Sequence, residues 1–131
     1  MANRYLFSAC ALAALVGTPA FADNSYQNTC SEIRFAYSGK NATLQAVCLK
    51  QDGTPNATSL VLQGISNQNG KLTQGSGPST FQMSCGNIQI ITDNGPNTTL
   101  SAVCRMTNGS FLATALPLNN IANNNGTLVQ H

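Results

Sequence analysis

Apolar residues recur at every second position through most of this chain, which is the spacing of half-buried strands. In the stretch 43–48, Leu44, Ala46 and Cys48 point one way and Thr43, Gln45 and Val47 the other. In 59–62 the inward residues are Leu60 and Leu62, and Ile33 and Phe35 mark an earlier short strand. The same sets return further along as Leu100, Ala102 and Cys104, as Leu116 and Leu118, and as Ile88 and Ile90. No stretch holds a helical period long enough for a helix. Only short turns are expected, near Ser31–Glu32 and Asn119–Ile121.

The return of the pattern is a duplication: residues 25–74 and 80–130 are two copies of one unit. The offset is 55 between Cys30 and Cys85, and 56 between Cys48 and Cys104 after a one-residue insertion. Asn41-Ala-Thr-Leu44 meets Asn97-Thr-Thr-Leu100, and Asn69-Gly-Lys-Leu72 meets Asn125-Gly-Thr-Leu128. The turn signals are duplicated too. Asp52-Gly53 and Asn108-Gly109 fall between strands, as do Asn69-Gly70 and Asn125-Gly126; both dipeptide types favour the positive φ of tight hairpins. Pro117 inside a strand pattern predicts an edge position or a bulge. Gln74 to Ser79, rich in glycine and serine, reads as a linker or hinge between the copies.

One unit has too few inward apolar side chains to fold alone, so the copies are expected to share one core. Most mature aromatics (Tyr26, Phe35, Tyr37, Phe81, Phe111) are expected there, with Tyr26 and Phe81 at equivalent positions.

Residues 1–22 stand apart from this pattern. Arg4 lies in a basic start, an apolar run extends from Tyr5 to Val16, and Ala20-Phe-Ala22 forms a small-residue cleavage site. That is the layout of a signal peptide, which makes residues 23–131 the mature domain, secreted, or periplasmic in a bacterium. Export favours disulfides among the four cysteines left after Cys10 departs. Four cysteines allow three pairings, and spacing does not choose among them. An ancestral single unit, however, held two cysteines that could only pair with each other or stay free. This favours Cys30–Cys48 and Cys85–Cys104.

Charge is sparse. Without Arg4 the mature chain has five Lys/Arg (Arg34, Lys40, Lys50, Lys71, Arg105) against four acids (Asp23, Glu32, Asp52, Asp93), five less four giving +1. No basic stripe is available for a phosphate backbone, which argues against nucleic acid as a partner. Catalysis fails on inventory. The one histidine is the terminal His131, and Glu32 and Asp93, the nearest approach to a glycosidase pair, have no acidic copies. Without Cys-x-x-Cys spacing no metal site is expected, and no cofactor is called for. What the chain does offer is many neutral Asn, Gln, Ser and Thr groups, and these match sugar hydroxyls that donate and accept in pairs. The clusters Asn123-Asn-Asn-Gly126 and Asn67-Gln-Asn-Gly70 stand out.

On these residues the chain resembles the cyanovirin-N homology family, a group of small lectins. The resemblance runs from about Ser25 to Gln130. It rests on an aromatic four residues before each first cysteine (Tyr26 and Cys30, Phe81 and Cys85) and on the second cysteines Cys48 and Cys104. It rests also on Pro78-Ser-Thr-Phe81 and on Leu118-Asn-Asn-Ile-Ala-Asn-Asn-Asn-Gly-Thr-Leu128.

The resemblance implies an elongated all-β fold of two pseudosymmetric, strand-exchanged halves, 23–64 with 121–131 and 65–120, and two within-repeat disulfides. It also implies binding of mannose-rich oligosaccharides, typically terminal α1-2-linked mannose, without metal. One site at each end follows from it. The first would use Ser25, Asn28, Thr29, Lys50, Gln51, Asp52, Asn123, Asn124 and Asn125. The second would use Thr80, Met83, Ser84, Arg105, Met106, Thr107, Asn67, Gln68 and Asn69. The chain departs from the family where Asn69 and Asn125 replace an acidic residue and where Met83 and Met106 replace polar ones. The second site is therefore expected to be weaker. The lengthened linker (Gly75, Ser76, Gly77) predicts a monomer for the most part, with a domain-swapped dimer as the alternative. A secreted structural or protein-binding module that has lost the sugar is the competing reading. Sequons at Asn41, Asn56, Asn97, Asn108 and Asn125 offer glycan acceptors in a eukaryotic secretory route.

Overall fold

The computed structural model describes residues 26–92 and 98–131. Residues 1–22, where a signal peptide is expected, and Asp23, Ser25, Asp93 and Asn97 lie outside them. The described residues form ten strands: β1 Cys30–Ser38, β2 Asn41–Leu49, β3 Pro55–Val61, β4 Gln63–Gln68, β5 Lys71–Pro78, β6 Cys85–Ile91, β7 Thr98–Arg105, β8 Phe111–Leu118, β9 Ile121–Asn124 and β10 Thr127–Gln130. A single 3-10 turn precedes each copy, Tyr26–Asn28 and Phe81–Met83. The short turns expected near Ser31–Glu32 and Asn119–Ile121 are not there: Ser31 and Glu32 lie in β1, and Ile121 opens β9.

Each copy contributes a three-stranded antiparallel sheet, β1-β2-β3 and β6-β7-β8, and a two-stranded hairpin, β4-β5 and β9-β10. The hairpins are exchanged. β10 packs against β3 of the first copy, and β5 against β8 of the second. Two matched bonds fasten them: the Leu128 N–H donates to Thr58 Oγ1, and the Leu72 N–H to Thr114 Oγ1, each at 3.1 Å. The core is correspondingly one cluster drawn from both copies, with Leu44, Leu62, Ile65, Phe81, Leu100, Leu118 and Ile121 fully buried. Each such side chain contributes roughly 1.5–3 kcal/mol.

The alternation read from sequence holds in β2 and β7, where Leu44, Ala46 and Cys48 and Leu100, Ala102 and Cys104 are buried. Thr43 departs from it: expected to face outward, it is 1% exposed and its hydroxyl finds no partner. Among the aromatics, Tyr26 and Phe81 are buried, but Tyr37 and Phe111 are 56% and 66% exposed. Tyr37 instead caps Phe35 edge-on, with ring centroids 5.1 Å apart. Pro117 lies on β8, an edge strand of its sheet, where its missing N–H removes no ladder bond.

The segment 74–79 is not a free linker. Up to Pro78 it belongs to β5, with Gln74 paired to Ile65 and Pro78 to Gln63. Gly75, Ser76 and Gly77 bulge opposite Gly64, whose φ is +80°. A Cβ on Gly64 would lie 2.1 Å from the Gly75 carbonyl oxygen, so the extra residues are accommodated by close backbone approach.

Both disulfides form within copies, Cys30–Cys48 and Cys85–Cys104, spanning 18 and 19 residues. By chain entropy each stabilises by about 3 kcal/mol. They also position what flanks them. Cys30 pairs in register with Cys48, so Thr29 lies beside Leu49, whose N–H donates to the Thr29 carbonyl at 2.9 Å. In the second copy the Arg105 N–H donates to the Ser84 carbonyl at 3.0 Å.

Candidate functional site

Each end of the molecule is built from three segments: the residues before a copy's first cysteine, the loop after its second cysteine, and the hairpin turn of the other copy. The turns form because Asn-Gly takes positive φ at both central positions: 51° and 92° at Asn69-Gly70, 50° and 89° at Asn125-Gly126. The loop after the second cysteine is wider. There only the glycine has positive φ, and the Gly53 N–H donates to the Lys50 carbonyl at 2.9 Å.

At the first end, Asn123 joins all three segments. Its Nδ2 donates to Thr29 Oγ1 at 2.9 Å and to the Leu49 carbonyl at 3.0 Å, while its Oδ1 accepts the Gly126 N–H at 2.7 Å. Asn125 Oδ1 accepts the Gln51 N–H at 2.8 Å, and Asn56 Nδ2 donates to the Gly126 carbonyl at 2.8 Å. The Lys50 stem covers Gly126, with its Cγ 2.8 Å from where a Cβ would lie. Asp52 Oδ1 accepts from Thr54 Oγ1 at 2.6 Å and from the Thr54 N–H at 3.0 Å. The hydroxyl first, and then the backbone N–H, lower the Asp52 pKa below the usual carboxylate value.

The second end repeats this plan. Asn67 Nδ2 donates to Ser84 Oγ and to the Arg105 carbonyl, both at 2.9 Å, and Asn67 Oδ1 accepts the Gly70 N–H at 2.7 Å. Asn69 Oδ1 accepts from the Thr107 N–H at 2.9 Å and from Thr107 Oγ1 at 3.0 Å. Met106 takes the place of Lys50, its Cγ 2.8 Å from a Cβ on Gly70, and Leu112 replaces Asn56. The departure at Met106 is thus a packing substitution: an apolar chain covers the glycine where an aliphatic lysine stem does so at the other end.

The sequence-derived residues therefore divide by role. Thr29, Lys50, Gln51, Asn123 and Asn125 meet at one end, with Asn28, Asp52 and Asn124 next to them in the chain, and Ser84, Arg105, Met106, Thr107, Asn67 and Asn69 at the other, with Met83 and Gln68 next to them; Thr80 is tied instead to Ile65, whose carbonyl accepts its N–H at 2.9 Å. Asn123 and Asn67, however, have both amide nitrogen protons and the oxygen engaged inside the protein, so they serve as struts. Asn125 and Asn69 each spend their oxygen on the neighbouring loop. The side chains of Asn28, Gln51 and Asn124 are exposed and, among the described residues, make no internal hydrogen bond. Met83, 71% exposed, occupies the position of Asn28 at the second end.

Sequence reasoning missed Asn56, Thr54 and the Leu49 and Arg105 carbonyls. A Thr or Ser two residues after Asp52 and Asn108 could have flagged the loop bonds (Thr54, Ser110). Backbone acceptors leave no sequence signal. Among the described residues no group of three or more His, Cys, Asp or Glu is placed to hold a metal.

The CVNH domain family model matches residues 26–129. A designed cyanovirin-N homolog lectin superposes with a TM-score of 0.66 at 29% identity, covering 82% of this chain and 99% of that one. The T. borchii CVNH protein gives 0.65 at 29%, with the same coverages of 82% and 99%. Microvirin, solved as a complex with mannobiose, gives 0.63 at 28%, again over 82% and 99%. No curated protein matches the chain.

Proposed function

Because the chain belongs to the CVNH family, matched over residues 26–129, we propose that it is a secreted lectin that binds mannose-rich oligosaccharides, with terminal α1-2-linked mannose as the preferred epitope. It binds and releases the sugar without catalysing a reaction, and it requires no metal or cofactor. The observation that carries the reading is the first end: struts from the opposite copy hold the rim together, and the side-chain amides of Asn28, Gln51 and Asn124 stand free on it beside Asp52 and Lys50. Neutral donors and acceptors in that density suit sugar hydroxyls, and pre-organisation by Asn123 lowers the ordering cost of binding. The mannobiose complex of microvirin, 28% identical, supports a short mannose unit as the ligand.

The second end is the weaker site. Met83 and Met106 offer it no strong donor or acceptor where Asn28 and Lys50 serve the first. The hairpins dock within one chain, and the protein acts as a monomer. Partners are mannose-rich glycans and the glycoproteins that carry them, not nucleic acid or membrane. A glycan array probed with folded protein tests this. Binding to α1-2-terminated mannosides is the expected result, and silence across all mannose structures sinks the reading.

A further inference from the structure

One residue of the first copy sits in a backbone conformation that its side chain disfavours. Glu32 has a φ of +52°, the left-handed region, at the extra residue of a bulge in β1. The equivalent residue in β6 is Asn87, with a φ of +51°. Asparagine tolerates this region because its short amide bonds locally, and glutamate has no such compensation. Backbone preference therefore explains Asn87 and leaves Glu32 unexplained, so its side chain is where a reason is to be sought.

Glu32 lines an open groove of about 320 Å³ together with Gln27, Asn28, Cys30, Ser31, Ile33 and Thr92. The volume lies within the range of about 300–1,000 Å³ for small-molecule clefts. Arg34 bonds the Glu32 backbone carbonyl at 3.3 Å, and among the described residues the carboxylate itself is unpaired. Asn28 belongs to both the groove and the first end. Asn28 thus makes the groove continuous with the first end.

We propose that this groove is a subsite for a further hexose of the bound oligosaccharide, with the Glu32 carboxylate accepting hydrogen bonds from its hydroxyls. This rests on the lectin reading above. The subsite belongs to the first end alone, because the second copy has Gly86, Asn87 and Met83 where the first has Ser31, Glu32 and Asn28. A carboxylate is about twice as strong an acceptor as a neutral group.

Calorimetric titration of the full mature chain with α1-2-linked mannobiose and with a linear mannotetraose tests it, using the wild type, Glu32→Gln and Glu32→Asn. The wild type gains about tenfold in affinity from disaccharide to tetrasaccharide, the size of one charge-assisted hydrogen bond over a neutral one. Both variants bind the disaccharide as the wild type does and lose most of the gain. Glu32→Asn also melts no lower than the wild type, since the fold accepts Asn at the equivalent position. Variants that keep the full gain, or a wild type without one while still binding the disaccharide, overturn the subsite and leave the lectin reading standing. A wild type that binds neither sugar removes both.

Discussion

Asn123 Nδ2 lies 2.9 Å from Thr29 Oγ1 although the two residues are 94 positions apart in sequence. This bond, with its partner to the Leu49 carbonyl, ties a hairpin of the second copy to the entrance of the first. Asn67 does the same for the other end through Ser84 and Arg105. The asparagines that looked most like sugar ligands are thus what holds the rims together.

Asn123→Ala removes these bonds and leaves the Gly126 N–H without its acceptor. A loss of about 1–3 kcal/mol is expected. Sugar affinity at the first end falls at least tenfold, and the second end is untouched. Urea unfolding and a titration resolved by site check both parts, and Asn67→Ala gives the mirror result.

Asn125 is a test of a different kind. Its φ of +50° penalises alanine by about 1–2 kcal/mol, and its Oδ1 holds the Gln51 N–H at 2.8 Å. Asn125→Ala therefore loses stability as well as binding. Asn125→Asp keeps both the backbone tolerance and the acceptor, now charged. It is expected to melt at or above the wild-type temperature and to hold the loop as before.

Much of this was legible in the chain. The period-two pattern and the duplicated cysteines gave the strands and both disulfides, and Asn-Gly at 69–70 and 125–126 gave the hairpin turns. What escaped were features set by long-range geometry. The linker read from Gly75-Ser-Gly77 became a bulged strand because Gly64 admits a second backbone against it. Thr43 is buried along with its neighbours Ala42 and Leu44, although alternation alone assigns its face to solvent. The division of the site asparagines into struts and free amides depends on carbonyls at Leu49 and Arg105, which no residue type announces.

The core carries a second pair of repeat-related choices. The Tyr26 hydroxyl bonds Thr98 Oγ1 in the interior, while the equivalent positions hold Phe81 and Ala42. One pair is polar at both members, the other at neither. Tyr26→Phe alone strands the Thr98 hydroxyl and costs about 1–3 kcal/mol; Tyr26→Phe with Thr98→Val recovers most of it.

The same pair makes an alkaline prediction. Burial raises the Tyr26 pKa from 10.0 to about 12, against a smaller lowering by the Thr98 hydrogen bond. An unfolded tyrosine ionises near 10, so the folded state resists a deprotonation that the unfolded state accepts. The contribution is complete below pH 10 and is lost as the pH rises through 12. It amounts to about 2–3 kcal/mol. Denaturation midpoints measured from pH 8 to 12 are expected to fall over that window, and the double variant to lose this part of the fall.

Thr43 offers the opposite outcome, a gain. Its hydroxyl is buried without a partner. Thr43→Val keeps the branched shape and removes an unsatisfied group, so a stabilisation of about 1 kcal/mol is expected by thermal melting. Sugar binding is unchanged, since Thr43 lies in β2 away from both rims.

In the proposed function, each end is a sugar site assembled by residues of both copies. Titration of isotope-labelled residues 23–131 with α1-2-linked mannobiose, following backbone amide shifts, decides this. Shifts are expected at Asn28, Gln51, Asp52 and Asn124 first, and at Met83 and Thr107 only at higher sugar concentration. A well-dispersed spectrum that does not move, or moves only at residues away from both rims, contradicts it.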